Sequence, residues 1–208
     1  MQILVLGATG GVGLEIVRHA IGQGHSVTAL VRSPQSLHPF GSGVTVLSGN
    51  LLSRSDLHTA IRGKDAVLSG FGPRTPIARD DRDLIQRFAA VLTAAMREAV
   101  VSRLIVVSTA FLFRDSIIPP THLAGRLFFA HVVADSTVAE ATYQQSSLDW
   151  TIVRPPRLTD KAYTGRYRVR EGHLPHFGFT VSRADVADFM VRKAIDSNSI
   201  GKIFGVSN

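Results

Sequence analysis

Gly7, Gly10 and Gly13 mark the first place where this chain can do chemistry. They sit in the run Gly7-Ala8-Thr9-Gly10-Gly11-Val12-Gly13, directly after the apolar-leaning segment Gln2-Ile3-Leu4-Val5-Leu6 and directly before an amphipathic pattern. Strand, glycine turn and helix in that order build a site for the phosphates of a dinucleotide. Gly7 can end the strand in a conformation closed to residues with a Cβ. Gly10 lets backbone approach a pyrophosphate, and Gly13 lets the helix lie tight on the sheet. The helix N-terminus adds free N–H groups and a partial positive charge. Thr9, Gly11 and Val12 lie in the same turn and complete the expected phosphate contacts. A turn with only a structural role would not ask for three glycines at this spacing.

The second strand ends Leu30-Val31-Arg32-Ser33. A site selective for NAD carries Asp or Glu here, accepting hydrogen bonds from the adenosine ribose hydroxyls. No carboxylate occurs between Glu15 and Asp56, and Arg32 stands at the expected place. A guanidinium can pair with the 2′-phosphate of NADP, with a hydroxyl from Ser33 or Ser36 beside it. NADPH is therefore the expected cofactor; the competing reading of Arg32 is a solvated surface arginine. After the third strand, Gly49-Asn50-Leu51-Leu52 forms a corner that commonly wraps the adenine. Asn50 there either bonds the base edge or serves as a turn residue. Gly70-Phe71-Gly72-Pro73 follows the fourth strand, and its glycines either bring backbone close to the cofactor's second half or simply make a turn.

The fifth strand ends Val106-Val107-Ser108-Thr109-Ala110-Phe111, and the sixth ends Thr151-Ile152-Val153-Arg154-Pro155-Pro156-Arg157. These two ends should flank the nicotinamide. Ser108 and Thr109 would orient nicotinamide or acceptor, Pro155 would border the cofactor, and Arg157 would hold a propionate or phosphate. Each has a plainer reading. Ser108 and Thr109 can simply cap a strand end, Arg154 can brace the Pro155-Pro156 corner, and Arg157 can be a surface cation. Phe111 and Phe113 can stack on a flat acceptor or pack in the core. His122, His131, His173 and His176 have no metal-ligand spacing.

These residues need a scaffold of alternating elements. Apolar β-rich runs recur at 3–6, 26–31, 44–47, 66–69, 104–107, 151–153 and 203–206. Helical patterns lie between most of them, at 11–23, 56–61, 83–99, 135–145 and 184–195. In the third, Leu84, Phe88, Val91, Leu92, Ala95 and Ala99 share one face. The fifth opens with Ser182-Arg183-Ala184-Asp185, a capping-box-like start with Asp in place of Glu. Such alternation predicts an α/β fold: a Rossmann-type, doubly wound parallel sheet, with ligands beyond the carboxyl ends of the strands. Residues 1–208 read as one domain. Residues 155–183, with short alternating runs at 167–170 and 177–181, read as a small C-terminal substrate-side lobe. Residues 119–133 carry the pair Pro119-Pro120 and then an apolar segment, read as a loop and a packing helix.

The glycine turn, Gly49-Asn50-Leu51-Leu52, Ser108-Thr109, the run from Leu148 to Pro155 and the run from Ser182 to Phe189 together resemble the short-chain dehydrogenase/reductase superfamily, in its atypical NmrA-like branch. Ser108-Thr109-Ala110-Phe111-Leu112, Pro119-Pro120, Pro155-Pro156 and Thr164-Gly165-Arg166-Tyr167 resemble, within that branch, the biliverdin IXβ reductases, which are also flavin reductases. The resemblance implies an NADPH-dependent oxidoreductase that passes hydride to a planar conjugated acceptor: a flavin, a biliverdin-type tetrapyrrole or a quinone. It also implies an alternative, a non-catalytic sensor reporting the NADPH/NADP ratio to a protein partner. This chain departs from the superfamily where a catalytic Tyr, with a Lys four residues on, is usual: Val132 and Ser136 stand there, and Tyr143 is followed by Ser147. Lacking a lysine to lower a tyrosine's pKa, the chain is not expected to dehydrogenate ordinary alcohols. Flavin or bilin acceptors need less, because solvent can supply the proton. The tetrapyrrole reductase of the branch has a hydroxyl residue at Thr109 and a His where Arg157 stands, and Arg157 cannot act as a general acid near neutral pH. Residues 121–133 also look longer than their counterpart.

Composition agrees with a globular enzyme-sized domain. The 208 residues are 45% hydrophobic and 19% charged, and none is cysteine. Disulfides, thiolate catalysis and cysteine-ligated metals are excluded. The formal net charge of +7 favours anionic ligands. The 23 lysines and arginines are dispersed, so a phosphate-rich cofactor and an anionic small-molecule acceptor explain the sign better than specific nucleic-acid binding. No apolar stretch approaches membrane-spanning length. With the first strand beginning at residue 2, no signal peptide is expected, and the expected location is cytoplasmic.

Overall fold

Alternating apolar side chains build the centre of the molecule. In the computed structural model, which describes residues 1–72, 83–113 and 130–208, Ile3 and Val5 face one helical layer while Leu4 and Leu6 face the other. Both faces are buried, as a covered parallel sheet requires. The strands are β1 (Gln2–Leu6), β2 (Ser26–Val31), β3 (Val44–Ser48), β4 (Ala66–Ser69), β5 (Arg103–Val107), β6 (Asp149–Arg154), β7 (Arg157–Thr159), β8 (Arg168–Glu171), β9 (Thr180–Ser182) and β10 (Lys202–Ser207). The main sheet has eight strands in the order β3-β2-β1-β4-β5-β6-β10-β8. All neighbours in it are parallel except β8, which runs antiparallel to β10. The strand order reverses between β1 and β4, so a crevice opens there at the carboxyl ends of the strands.

Among the described residues five helices flank this sheet: α1 (Gly11–Gly22), α2 (Arg54–Ile61), α3 (Leu84–Glu98), α4 (Ala130–Gln144) and α5 (Arg183–Ala194). Helices α1 and α5 cover one face; α2, α3 and α4 cover the other. Fully buried residues such as Ile16, Leu57, Phe88 and Leu92 each contribute roughly 1.5–3 kcal/mol of burial free energy.

Three results differ from the sequence-based expectations. The sheet is mostly rather than wholly parallel, and β8, expected in the lobe, joins it as an edge strand. What remains of the 155–183 segment as a separate sheet is the parallel pair β7 and β9. Helix α4 begins upstream of the expected residue 135. This places Asp135 inside the helix, where its buried carboxylate accepts hydrogen bonds from the backbone N–H groups of Ile85 (2.9 Å) and Gln86 (2.8 Å). It thus caps α3, whose own N-cap residue Asp83 makes no side-chain cap bond. The Pro119-Pro120 pair, His122 and most of the apolar segment that follows lie outside the described residues.

Two buried polar residues tie the second half together. Arg103 donates to the carbonyl oxygens of Asp149, Lys193 and Ala194 and to the hydroxyls of Thr151 and Ser199. Its positive charge sits at the carboxyl end of α5, where the helix dipole favours a cation. Asp185 works at the other end of α5. Ser182 caps the helix as predicted, its hydroxyl accepting from the Asp185 N–H at 3.0 Å. The reciprocal half of the box is replaced: the Ser182 N–H donates to the Asn208 side chain, and the Asp185 carboxylate accepts from Ser182 Oγ, Asn208 Nδ2 and the backbone N–H groups of Thr164 and Gly165.

Burial alone would raise the pKa of Asp185, but the hydrogen bonds from Ser182, Asn208, Thr164 and Gly165 hold it below the usual carboxylate range. A depressed folded-state pKa contributes stability above the unfolded-state value of about 3.9, and that stability fades as pH falls through the folded value. Asp185→Asn is therefore expected to unfold at lower urea than the unmutated protein at pH 7. The gap between the two should shrink below about pH 4. A gap independent of pH in denaturation curves would contradict this account.

Candidate functional site

Glycine 7 has φ +72°, a conformation that favours glycine, and its carbonyl accepts from the Gly10 N–H at 2.9 Å. This turns the chain straight into α1. The fit beneath the turn is closer still: a Cβ on Gly13 would lie 2.0 Å from the Gly7 carbonyl oxygen, and one on Gly70 would lie 2.7 Å from the Gly13 nitrogen. Gly70 is thus required by the approach of the chain's own helix. Backbone at 7–12 is left lining a cleft of about 800 Å³ at the carboxyl ends of β1, β2, β4 and β5. The α1 N-terminus has no side-chain cap, so its N–H groups are available to an anion. Such a backbone cradle, with room for no Cβ at Gly7, Gly13 or Gly70, fits the diphosphate of a dinucleotide.

One end of the cleft is set by β2 and β3. Arg32 is exposed and lines it, with no ion-pair partner among the described residues. Asn50 and Leu51 line it too. The Asn50 side-chain oxygen accepts from the Leu52 N–H at 3.0 Å, closing a turn, while its own N–H donates to Asp56. The turn reading of Asn50 therefore holds, and its amide NH₂ remains for a base edge.

The other end is polar and was not foreseen in full. Ser108 and Thr109 line the cleft at the end of β5, facing Ser136, Glu140 and Tyr143 from α4. Glu140 is 3% exposed and accepts from Ser108 Oγ at 2.5 Å and from Arg154 Nε at 3.0 Å, with a second Arg154 nitrogen on its other oxygen. The Arg154 guanidinium also lies over the Phe113 ring, 4.8 Å from its centre. Thr109 Oγ1 accepts from the Phe111 N–H at 3.3 Å. Burial pushes the Tyr143 phenol well above its ordinary value, reinforced by the Glu140 and Asp135 carboxylates. It therefore stays protonated and does not replace a lysine-activated tyrosine. Val132 and Ser136, at the positions where that pair would stand, both line the cleft.

A model of the NAD(P)H-binding family matches residues 7–197. The chain belongs to this NAD(P)H-binding family. It is 42% identical over 69 residues to photosystem II assembly factor Ycf39 of Synechocystis, covering 33% of this chain and 21% of that protein. It is 39% identical over 94 residues to (4-alkanoyl-5-oxo-2,5-dihydrofuran-3-yl)methyl phosphate reductase of Streptomyces griseus, covering 45% of this chain and 31% of that protein. The matches thus span less than a third of either relative. The solved structure of ChuY, an anaerobilin reductase from Escherichia coli O157:H7, superposes on all of this chain and on 97% of its own, with a TM-score of 0.80 and 24% identity. That likeness is one of fold.

Within this family member the expected site residues separate into two groups. Gly7, Thr9, Gly10, Gly11, Val12, Arg32, Asn50, Leu51, Gly70, Ser108 and Thr109 line one cleft, with Gly13 buried beneath it. Ser33, Pro155 and Arg157 do not line it. Ser33 is exposed ahead of a 3₁₀ turn. Pro155 is buried, its carbonyl accepting from the Ala110 N–H at 3.1 Å and so joining the ends of β5 and β6. Arg157 is exposed on β7, where strand alternation sends Leu158 into the cleft and Arg157 the other way. Its placement gives no support to a contact with the acceptor.

Sequence reasoning missed Arg183 and Glu140. Arg183 follows the α5 cap and reaches across the cleft to the amino end of α1, where a Cβ on Gly11 would meet its Cδ and Nε at 2.6 Å. Its guanidinium pairs with the exposed Asp160 at 2.6 Å. Glu140 sits one helical turn beyond Ser136, but nothing in its spacing marks it as a partner of Ser108. No group of ligating side chains able to hold a metal occurs among the described residues, and no described helix is long and apolar enough to cross a membrane.

Gly13→Ala is expected to destabilise the protein by roughly 3 kcal/mol and to remove nucleotide binding, because the Gly7–Ala8 backbone of the cradle must move to admit the new methyl. Gly22→Ala, with nothing within 4 Å of the added methyl, should bind nucleotide normally. Calorimetric titration with NADPH and a urea melt of each variant check the contrast.

Proposed function

We propose that the protein is an NADPH-dependent reductase whose acceptor is a flat conjugated molecule, such as a flavin, a biliverdin-type tetrapyrrole or a quinone. The observation that carries this reading is one continuous cleft. It has a phosphate cradle and Arg32 on one side and a Ser108–Glu140 wall, backed by Arg154, on the other, while Val132 and Ser136 occupy the places of a tyrosine–lysine acid pair. NADPH supplies the hydride. The chain's residues bind, orient and exclude water. The amino end of α1 and the 7–12 backbone hold the diphosphate, Arg32 takes the 2′-phosphate, and the Asn50 corner borders the adenine. Ser108 and Thr109 orient the reacting rings. With no lysine-activated tyrosine at the wall among the described residues, the acceptor in this reading is one that takes its proton from solvent. The anaerobilin reductase activity of ChuY, and the reductase activity named for the Streptomyces relative, support this reaction class.

Arg183 has a place in this scheme. It sets a cation beside the positive end of a helix, an arrangement that Asp160 offsets and that a diphosphate between the two would turn to advantage.

Two variants separate the phosphate contacts. Arg32→Ala should weaken NADPH binding by about tenfold and leave NADH nearly unchanged, whereas Arg183→Ala should weaken both by similar factors. Equal affinity of the unmutated protein for NADPH and NADH would remove the role given to Arg32. The reaction itself is tested by following NADPH oxidation against riboflavin, FMN, biliverdin and a quinone. Tight NADPH binding without oxidation by any of them would favour an NADP(H) sensor acting through a protein partner, and a pull-down with and without NADPH would then identify it.

A further inference from the structure

Buried charge at the acceptor wall fixes the direction of one hydrogen bond. Arg154 offers only donors, and both its bonds to Glu140 end on carboxylate oxygens. A carboxylate offers only acceptors, so in its contact with Ser108 the serine hydroxyl must donate. That hydroxyl has a single proton, and Glu140 takes it. The Ser108 N–H is also spent, donating to the Val153 carbonyl at 2.7 Å. What Ser108 presents to the cleft is therefore a pair of lone pairs. Its neighbour has the opposite polarity: Thr109 Oγ1 already accepts from the Phe111 N–H, which leaves its proton to donate. An acceptor and a donor thus stand side by side on one wall.

We propose that Glu140, backed by Arg154, makes Ser108 a hydrogen-bond acceptor and so selects electron acceptors carrying an N–H beside a carbonyl, the lactam or imide pattern, over acceptors with carbonyls alone. The inference rests on the reductase reading above and narrows its substrate class to imide- or lactam-bearing ring systems. Isoalloxazines carry this pattern at N3–H and C4=O; simple quinones do not. Glu140 acts through Ser108 and is a positioning residue. The cost that enforces the selection is the usual one for buried polar sites, a lone pair left facing a group that cannot donate.

The test compares two ligands that differ only at N3, lumiflavin with a hydrogen there and 3-methyllumiflavin with a methyl, by binding to the NADP-loaded protein and by NADPH oxidation. The unmutated protein should favour lumiflavin by about tenfold. Glu140→Leu keeps roughly the side-chain volume and removes the acceptor, so the serine proton is free to turn toward the cleft; the preference should fall to within about twofold. Ser108→Ala leaves the Glu140–Arg154 pair intact, guards against misfolding of the first variant, and should also lose the preference. Equal binding of the two flavins by the unmutated protein would overturn the inference while leaving the reductase reading in place, as would a preference that survives both substitutions. Failure of the NADP-loaded protein to bind either flavin would overturn the inference; only a lack of NADPH oxidation with biliverdin and quinone as well would bring down the reductase reading. Weakened NADPH binding in Ser108→Ala with the flavin preference retained would assign the lone pairs to the nicotinamide carboxamide and overturn the inference.

Discussion

The amino end of α1 lies directly against the ends of β1 and β4, with no side chain between them. Gly7, Gly13 and Gly70 meet backbone to backbone, and a single methyl at Gly13 would lie 2.0 Å from a carbonyl oxygen. The phosphate end of the site is placed by that contact. It aims the free N–H groups of the helix into the crevice between β1 and β4, and it fixes how far the strand ends stand from the helix. Because the contact is made wholly by the chain's own backbone, the cradle is complete before any ligand arrives, and binding need not order it.

The fold was legible in the sequence because its signals are local. Short apolar β-rich runs and glycine punctuation marked all seven parallel strands of the main sheet, and Ser182 announced the start of α5. The rest depended on partners far away in the chain. Asp135 looks like a helix start, but it caps a helix some fifty positions earlier. Asp185 occupies the right place for a capping box, yet its carboxylate is drawn to the 164–165 turn and to Asn208. The short run at 167–170 has too little pattern to say which sheet it joins.

The site divided along the same line. Residues made necessary by backbone geometry, the glycines above all, could be named from their spacing. Ser108 could be named from a strand end. Its partner Glu140, and Arg183 across the cradle, could not, because each reaches the site from a helix whose rotation is set only by packing. Arg157 could be named from its chemistry but not placed, because β7 alternates and the phase of a three-residue strand is not readable from its composition. The acceptor end consequently has a character that no single motif carries, an ion pair whose only exposed consequence is the orientation of one hydroxyl.

Arg103 has a consequence for how the molecule holds together in time. Its five partners lie on β6, at the last turn of α5 and in the turn before β10, between 46 and 96 positions along the chain from it. A guanidinium does not give up its hydration for a partial set, so the second half of the sheet can close around it only as a whole. The elements of the second half, β5, β6, the end of α5 and the turn before β10, are thereby fastened at one point remote from the cleft. Opening of one without the others would strand a cation in a dry interior, which makes breathing of this half a shared, all-or-none event.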